Sequence, residues 1–199
     1  MELENLVQAV TDSLFVELEA SGRHVHVTGE QAMTLFGHPL TPARPLSQPG
    51  QFLARERVTL VGEKGEFRDV AVLGPERREG QVEISLTDGR VLGIAPPVRL
   101  SGDVEGTPGI VLLGSNGRVE LTHGVIAAKR HIHLTPRAAA HFGVKNGENV
   151  KLKALTRRPV IFEDVSVRVS EQFAPFAHLD YDEANACGFC KGDLGRILK

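Results

Sequence analysis

The chain has no tryptophan, one tyrosine and only two cysteines among 199 residues. Two cysteines, Cys187 and Cys190, cannot form the framework of a disulfide-stapled domain, and they fit an intracellular-looking chain. No apolar run approaches the roughly 20 residues needed to span a bilayer. The N-terminus is acidic and lacks the continuous apolar centre of a secretory signal. Neither sign of charge dominates: 23 basic against 25 acidic residues leave a net charge of −2 with histidine neutral. No electrostatic footprint for nucleic acid is present. Also missing are a Walker loop, a Gly-x-Gly-x-x-Gly turn between strand and helix, and a Gly-x-Ser-x-Gly elbow. These absences argue against nucleotide-dependent and serine-hydrolase chemistry.

What is present is a repeated stretch. Arg23-His24-Val25-His26-Val27-Thr28 recurs as Arg130-His131-Ile132-His133-Leu134-Thr135. Each copy continues through a helix-like segment to a Phe-Gly pair, Phe36-Gly37 and Phe142-Gly143. Histidine alternating with a β-branched apolar residue reads as a half-buried strand. Residues i and i+2 of a strand share a face, so each pair presents two imidazoles together. Two neutral imidazoles can grip one metal ion, and zinc suits them. The bland alternative is polar residues on a wet strand face. Matched contexts weigh against it, and the duplication predicts a site where the copies meet.

With 21 glycines and 11 prolines, the chain predicts short strands and tight turns. Leu3, Leu6, Val7, Val10 and Leu14 form the stripe of a short amphipathic helix, which either caps a core or docks on a partner. Phe15 to Glu19 alternates as a strand. Thr28 is a candidate N-cap for a helix over Glu30 to Phe36, with Gly37 as its stop. Four prolines between His38 and Phe52 predict an ordered loop. Strands are expected at Arg57 to Val61, Arg68 to Leu73, Gln81 to Ser85, Leu92 to Ile94, Val98 to Leu100, Gly109 to Leu113 and Arg118 to Leu121. Asp88-Gly89 and Asn116-Gly117 are among the turn signals between them. Thr135-Pro136 caps a second helix. Strands Asn149 to Ala154, Arg158 to Phe162 and Ser166 to Val169 follow, then a helix over Asp180 to Ala186. The expected fold is mainly β: two small barrels capped by short helices and sharing one site. The expected domains are residues 1–20 with 129–199, and residues 21–128.

Single residues leave alternatives open. His178 is either a third imidazole for His131 and His133 or a surface residue. Glu83, between apolar neighbours, is either a carboxylate ligand for His24 and His26 or an exposed strand residue. Arg77 and Arg78, in a turn after a strand, either grip phosphate through a planar fork or carry solvated charge. Cys187-Gly188-Phe189-Cys190 is half a metal site, a redox pair or two incidental thiols.

Further blocks carry a resemblance. Leu40-Thr41-Pro42, Pro45-Leu46-Ser47-Gln48-Pro49-Gly50-Gln51-Phe52, Leu73-Gly74-Pro75-Glu76-Arg77, Gln81-Val82-Glu83-Ile84-Ser85, Ser101-Gly102-Asp103 and Asp182-Glu183-Ala184-Asn185-Ala186 join the two Arg-His-x-His segments. In this ordered set, from about residue 15 to 186, the chain resembles the PduL-type phosphate propanoyltransferases, phosphotransacylases associated with bacterial microcompartments and propanediol degradation. The resemblance implies two β-barrels with a two-zinc site between them. By motif, His24, His26 and Glu83 fall on the ligands of the zinc that approaches the thiol of coenzyme A. His131, His133 and His178 fall on those of the second zinc. Arg77 falls on the arginine that holds phosphate, so Arg77 and Glu83 are the expected catalytic residues. Coenzyme A contacts are implied at Arg44 (commonly Lys), Leu73, His178 and Asn185. Ala71 stands where Arg is frequent, so one such contact is missing or replaced. Cys187 and Cys190 lie outside the pattern.

The implied reaction converts acyl-coenzyme A (propanoyl or acetyl) and phosphate to acyl phosphate and coenzyme A. Direct transfer is expected, since no Ser–His or Cys–His nucleophile pair is visible. Competing readings are a two-metal thioester or phosphoester hydrolase and a zinc-stabilised binding module. A homo-oligomer is expected, a dimer first. The expected location is the cytoplasm, or a microcompartment lumen if residues 1–14 dock on shell or cargo. No nucleic-acid or membrane partner is expected.

Overall fold

A computed structural model describes Val7, Thr11 and Leu14–Lys199. The expected helix over Leu3 to Leu14 lies largely outside these residues; Val7, Thr11 and Leu14 are helical. The chain divides into two compact units. One joins the segment ending at Ser21 to Lys129–Lys199, and the other is Gly22–Ala128.

The first unit is a closed barrel of β1 (Val16–Ser21), β11 (His131–Leu134), β12 (Asn149–Leu155), β13 (Val160–Val169), β14 (Phe176–Asp180) and β15 (Leu194–Leu198). The strand order is β1-β14-β11-β13-β12-β15. β1 runs parallel to β14 and antiparallel to β15, which closes the ring and leaves no exposed edge. Strand β12 shows why it sits here. Val150, Leu152 and Ala154 point inward while Asn149, Lys151, Lys153 and Leu155 face water. Leu18, Ile132, Leu134, Leu152 and Leu179 fill the interior. Each such burial contributes roughly 1.5–3 kcal/mol. Helices α3 (Pro136–Phe142) and α4 (Tyr181–Cys187) pack on this barrel.

The second unit holds β2 (His24–His26), β3 (Pro42–Pro45), β4 (Phe52–Val61), β5 (Glu66–Gly74), β6 (Gln81–Glu83), β7 (Val98–Arg99), β8 (Ile110–Leu113), β9 (Arg118–Leu121) and β10 (Val125–Ala128). They form one nine-stranded sheet, ordered β7-β10-β6-β2-β5-β4-β8-β9 with β3 added on β4. This sheet curls into a half-barrel instead of closing. Its terminal strands explain how open edges are tolerated. β7 is only two residues long, and β9 exposes the Arg118–Glu120 ion pair; short and charged edges resist pairing with another chain. Helices α1 (Gly29–Phe36) and α2 (Leu86–Leu92) cap this unit.

The caps follow the sequence. Thr28 and Gln31 form a capping box, and Gly37 stops α1 at φ 79°. Thr135 caps α3 ahead of Pro136, and Gly143 stops it at φ 65°. Other local expectations are corrected. Asp88-Gly89 is no turn, and Leu92 to Ile94 is no strand, because α2 occupies Leu86–Leu92 behind a Ser85–Asp88 capping box. Gly89 serves close approach instead: a Cβ there would lie 2.6 Å from Pro96 Cδ. The proline-rich loop contains edge strand β3, paired only with β4, which is where prolines are tolerated. The two strands expected between Arg158 and Val169 are one, β13, with Asp164 at φ 55°. Strands β10, β14 and β15 were not anticipated.

Candidate metal centres

Two groups of three metal-capable side chains occur among the described residues, one in each unit. The first is His24, His26 and Glu83. His24 and His26 project from β2 to one face by the strand's period of two. Antiparallel pairing sets His24 directly opposite Glu83 and His26 opposite Gln81. All three are buried, and His24 Nε2 lies 3.5 Å from Glu83 Oε2.

Each imidazole in this group has its tautomer fixed. His24 Nδ1 donates to the Gly22 carbonyl at 2.8 Å, and His26 Nδ1 donates to the Leu73 carbonyl at 3.1 Å. A carbonyl can only accept, so Nδ1 carries the hydrogen and Nε2 holds the lone pair of the neutral ring. Burial opposes ionisation of both rings and of the carboxyl. For His24 the adjacent Glu83 carboxylate overcomes it and raises the pKa. His26, further depressed by His24 and Arg77, is held well below its usual value. Glu83 is held far below the usual carboxylate range by the two imidazoles. Glu83 and His24 thus favour each other's charged forms against the burial that opposes both.

A polar chain leads outward from Glu83. Gln81 Nε2 donates to Glu83 Oε1 at 2.5 Å and to Ser101 Oγ at 2.9 Å. Gln81 Oε1 accepts the Gly102 N–H at 2.8 Å. Arg77 Nη1 donates to the same Ser101 Oγ at 3.0 Å. The turn arginine is thus wired to the buried carboxylate. Sequence reasoning assigned no role to Gln81 or Ser101, although both lie in the quoted blocks.

The second group is His131, His133 and His178. β11 supplies the first two, and β14 sets His178 opposite His131. The ring centroids are 4.6 Å (His131–His133), 4.9 Å (His131–His178) and 4.9 Å (His133–His178) apart. His131 Nδ1 donates to the Lys129 carbonyl at 2.9 Å, two residues back, as His24 does to Gly22. His178 Nδ1 is 3.3 Å from Glu19 Oε2. His133 stacks on Phe173 at 4.0 Å, and neither buried ring nitrogen has a hydrogen-bond partner. Burial, with His131 and Arg168 nearby, lowers its pKa to about 3. A buried, neutral, unpartnered imidazole facing two others is a donor set without its acceptor.

Both groups fit a nitrogen- and oxygen-preferring divalent cation such as zinc. Each offers three protein ligands, the number found where a coordination position stays open for chemistry. Of the other sequence candidates, Leu73 meets the first group through its carbonyl. Arg44 is exposed on β3, and Asn185 is exposed on α4. Ala71 pairs opposite His24. Cys187 is buried and Cys190 exposed, and they form no disulfide.

A family model for phosphate propanoyltransferase matches residues 17–190. A protein of Enterococcus faecalis named phosphate propanoyltransferase is 55% identical over 185 residues, covering 92% of this chain and 88% of that protein. One of Clostridioides difficile with the same name is 50% identical over 199 residues, covering 99% and 95%. One of Thermotoga maritima, also so named, is 53% identical over 182 residues, covering 90% and 87%.

Proposed function

Because the chain belongs to the phosphate propanoyltransferase family, and is therefore a phosphate acyltransferase, we propose that it exchanges propanoyl or acetyl groups directly between coenzyme A and phosphate, with one zinc ion in each histidine group. The observation that carries this reading is the Arg77–Ser101–Gln81–Glu83 chain, which ties a phosphate-binding fork to a buried three-ligand group. Arg77 orients a phosphate oxygen toward the thioester carbonyl, a positioning effect. The carbon–oxygen bond forms as the carbon–sulfur bond breaks, and the sulfur leaves with the electron pair as thiolate. Zinc, when bound, supplies a soft Lewis acid for that thiolate. Arg44, Leu73, His178 and Asn185 are the proposed coenzyme A contacts. A dimer in the cytoplasm completes the reading, or in a microcompartment lumen if residues 1–14 dock on shell or cargo. No described helix is long and apolar enough to cross a membrane.

The test is thiol release from propanoyl-coenzyme A by metal-analysed protein, with and without phosphate. Release that requires phosphate, and is lost on chelation and in His24→Ala, is expected. Release without phosphate would make the protein a hydrolase. No release with both groups loaded would leave a metal-stabilised binding module.

A further inference from the structure

Each histidine group sits on the end rung of its pairing. His24 is the first residue of β2, and Glu83, opposite it, is the last of β6. His131 opens β11, and its rung with His178 is the last shared by β11 and β14. Beyond these rungs the two ligand-bearing strands share no further ladder bond and are held only by their outer neighbours, as β1 holds β14 at Asp180 and β10 holds Ile84. A ligand set built there needs another closure.

The same closure is found in both units. Arg23, beside His24, grips Asp88 at two points: Nη2 to Oδ1 at 2.7 Å and Nε to Oδ2 at 3.1 Å. Asp88 Oδ2 also accepts the Ser85 backbone N–H at 3.2 Å, and Ser85 lies two residues after Glu83. Arg130, beside His131, donates to Glu183 Oε1 at 2.7 Å. Glu183 Oε2 accepts the Asp180 N–H at 3.2 Å, and Asp180 lies two residues after His178. Each guanidinium also lies over a phenylalanine, at 4.1 Å for Arg23 on Phe67 and 5.9 Å for Arg130 on Phe162. The third ligand, the cap and the acid all change type between units, yet the wiring is kept. Chain continuity therefore runs from the first ligand through arginine, helix-capping acid and cap N–H to the third ligand.

We propose that Arg23 and Arg130 are positioning residues for the metal centres: each holds shut the end rung that carries the first and third ligands of its own group, and so sets that group's metal affinity. The inference rests on the reading that both groups bind zinc. Neither arginine need touch metal or substrate. A charged fork on a mostly buried acid retains its strength better than an exposed pair.

The experiment uses the full chain carrying Arg23→Met or Arg130→Met. Zinc content and competition with a chromophoric chelator are measured, with circular dichroism and thermal unfolding alongside. The core variants Val58→Ala and Val16→Ala serve as controls that destabilise each unit away from the clamp. The expected result is a loss of roughly 10- to 100-fold in affinity for one ion in each arginine variant, the other ion unchanged. The valine controls keep both affinities despite lower melting temperatures. Unchanged zinc affinity in both arginine variants overturns the inference while leaving the zinc reading intact. Equal losses in the valine controls overturn it too, since affinity would then follow stability alone. A wild-type chain that binds no zinc overturns the zinc reading and this inference together.

Discussion

Gln81 Nε2 donates to Glu83 Oε1 at 2.5 Å, while the other carboxylate oxygen, Oε2, faces His24 Nε2 at 3.5 Å. One oxygen is thereby occupied and the other reserved for the ligand group. Gln81 is itself buried, and its own amide oxygen is satisfied by the Gly102 N–H. Replacing it by leucine frees Glu83 to rotate and takes the acceptor from the Gly102 N–H. The expected outcome for Gln81→Leu is a fall of about 10- to 100-fold in kcat/KM for acyl transfer, with weaker zinc binding. Steady-state kinetics with zinc analysis checks it. A variant with wild-type kinetics and zinc content would remove Gln81 from the site.

Arg77 makes a different prediction, because the proposed reaction gives it the phosphate and no place among the three metal-capable side chains. Its Nη1 is anchored on Ser101, which fixes the fork's orientation. Lysine would keep the charge and lose the planar two-point grip. Arg77→Ala is expected to lower kcat/KM for phosphate by on the order of 10²–10³, the range seen when one donor to a transition-state oxyanion is removed. Arg77→Lys should recover only part of that loss. KM for propanoyl-coenzyme A should hardly move in either. Unchanged activity and unchanged phosphate KM in Arg77→Ala would end the phosphate role.

The sequence made the strand-borne histidines legible for a physical reason. A His-x-His pair flanked by apolar residues fixes both the period and the face, and the two copies share their caps at Thr28 and Thr135. Glu83 and His178 were legible only as candidates. Their role depends on cross-strand register with residues 59 and 47 positions away (83 − 24 and 178 − 131), and no local pattern encodes that. Helix α2 was misread because Asp88-Gly89 resembles a hairpin turn, while the deciding features, the Ser85 cap and the Pro96 contact, are a capping box and a tertiary approach. The arginine clamps were invisible for the same reason: Arg23 and Asp88 are 65 residues apart. Closure of one sheet and openness of the other are likewise decided by which distant strands meet at β1 and β15.

The buried state of His133 predicts how the metal-free protein responds to acid. Its folded pKa is lowered to about 3 from an ordinary 6.5, by burial first and then by His131 and Arg168. A lowered histidine means that the unfolded chain binds a proton the native chain refuses. Stability is then full above pH 6.5 and declines as pH falls toward 3, by at most about 1.4 kcal/mol per pH unit from this group. Urea unfolding of chelator-stripped protein between pH 7 and 4 measures the slope. His133→Phe, which cannot titrate, should make it shallower, leaving the part that comes from His26 and Glu83. An identical slope in that variant would assign the acid sensitivity elsewhere.

The two cysteines should behave as different chemical species. Cys187, the last residue of α4, is fully buried, and its Sγ–H donates to the Ala184 carbonyl at 3.4 Å. Burial pushes its thiol pKa up, so almost no thiolate forms at neutral pH. Cys190 is exposed three residues later, its backbone N–H held by Asp193 at 2.7 Å. An alkylating reagent at neutral pH should therefore modify Cys190 quickly and Cys187 only on unfolding. Mass spectrometry of the labelled peptides separates the two. Cys190→Ser should abolish fast labelling and leave both zinc ions and acyl transfer unchanged, which separates an incidental thiol from half a metal site or a redox partner. Loss of a zinc ion in Cys190→Ser would restore the metal reading of the C-x-x-C motif. Equal labelling of both thiols in the native state would show that the C-terminal turn of α4 opens far more readily than its packing implies.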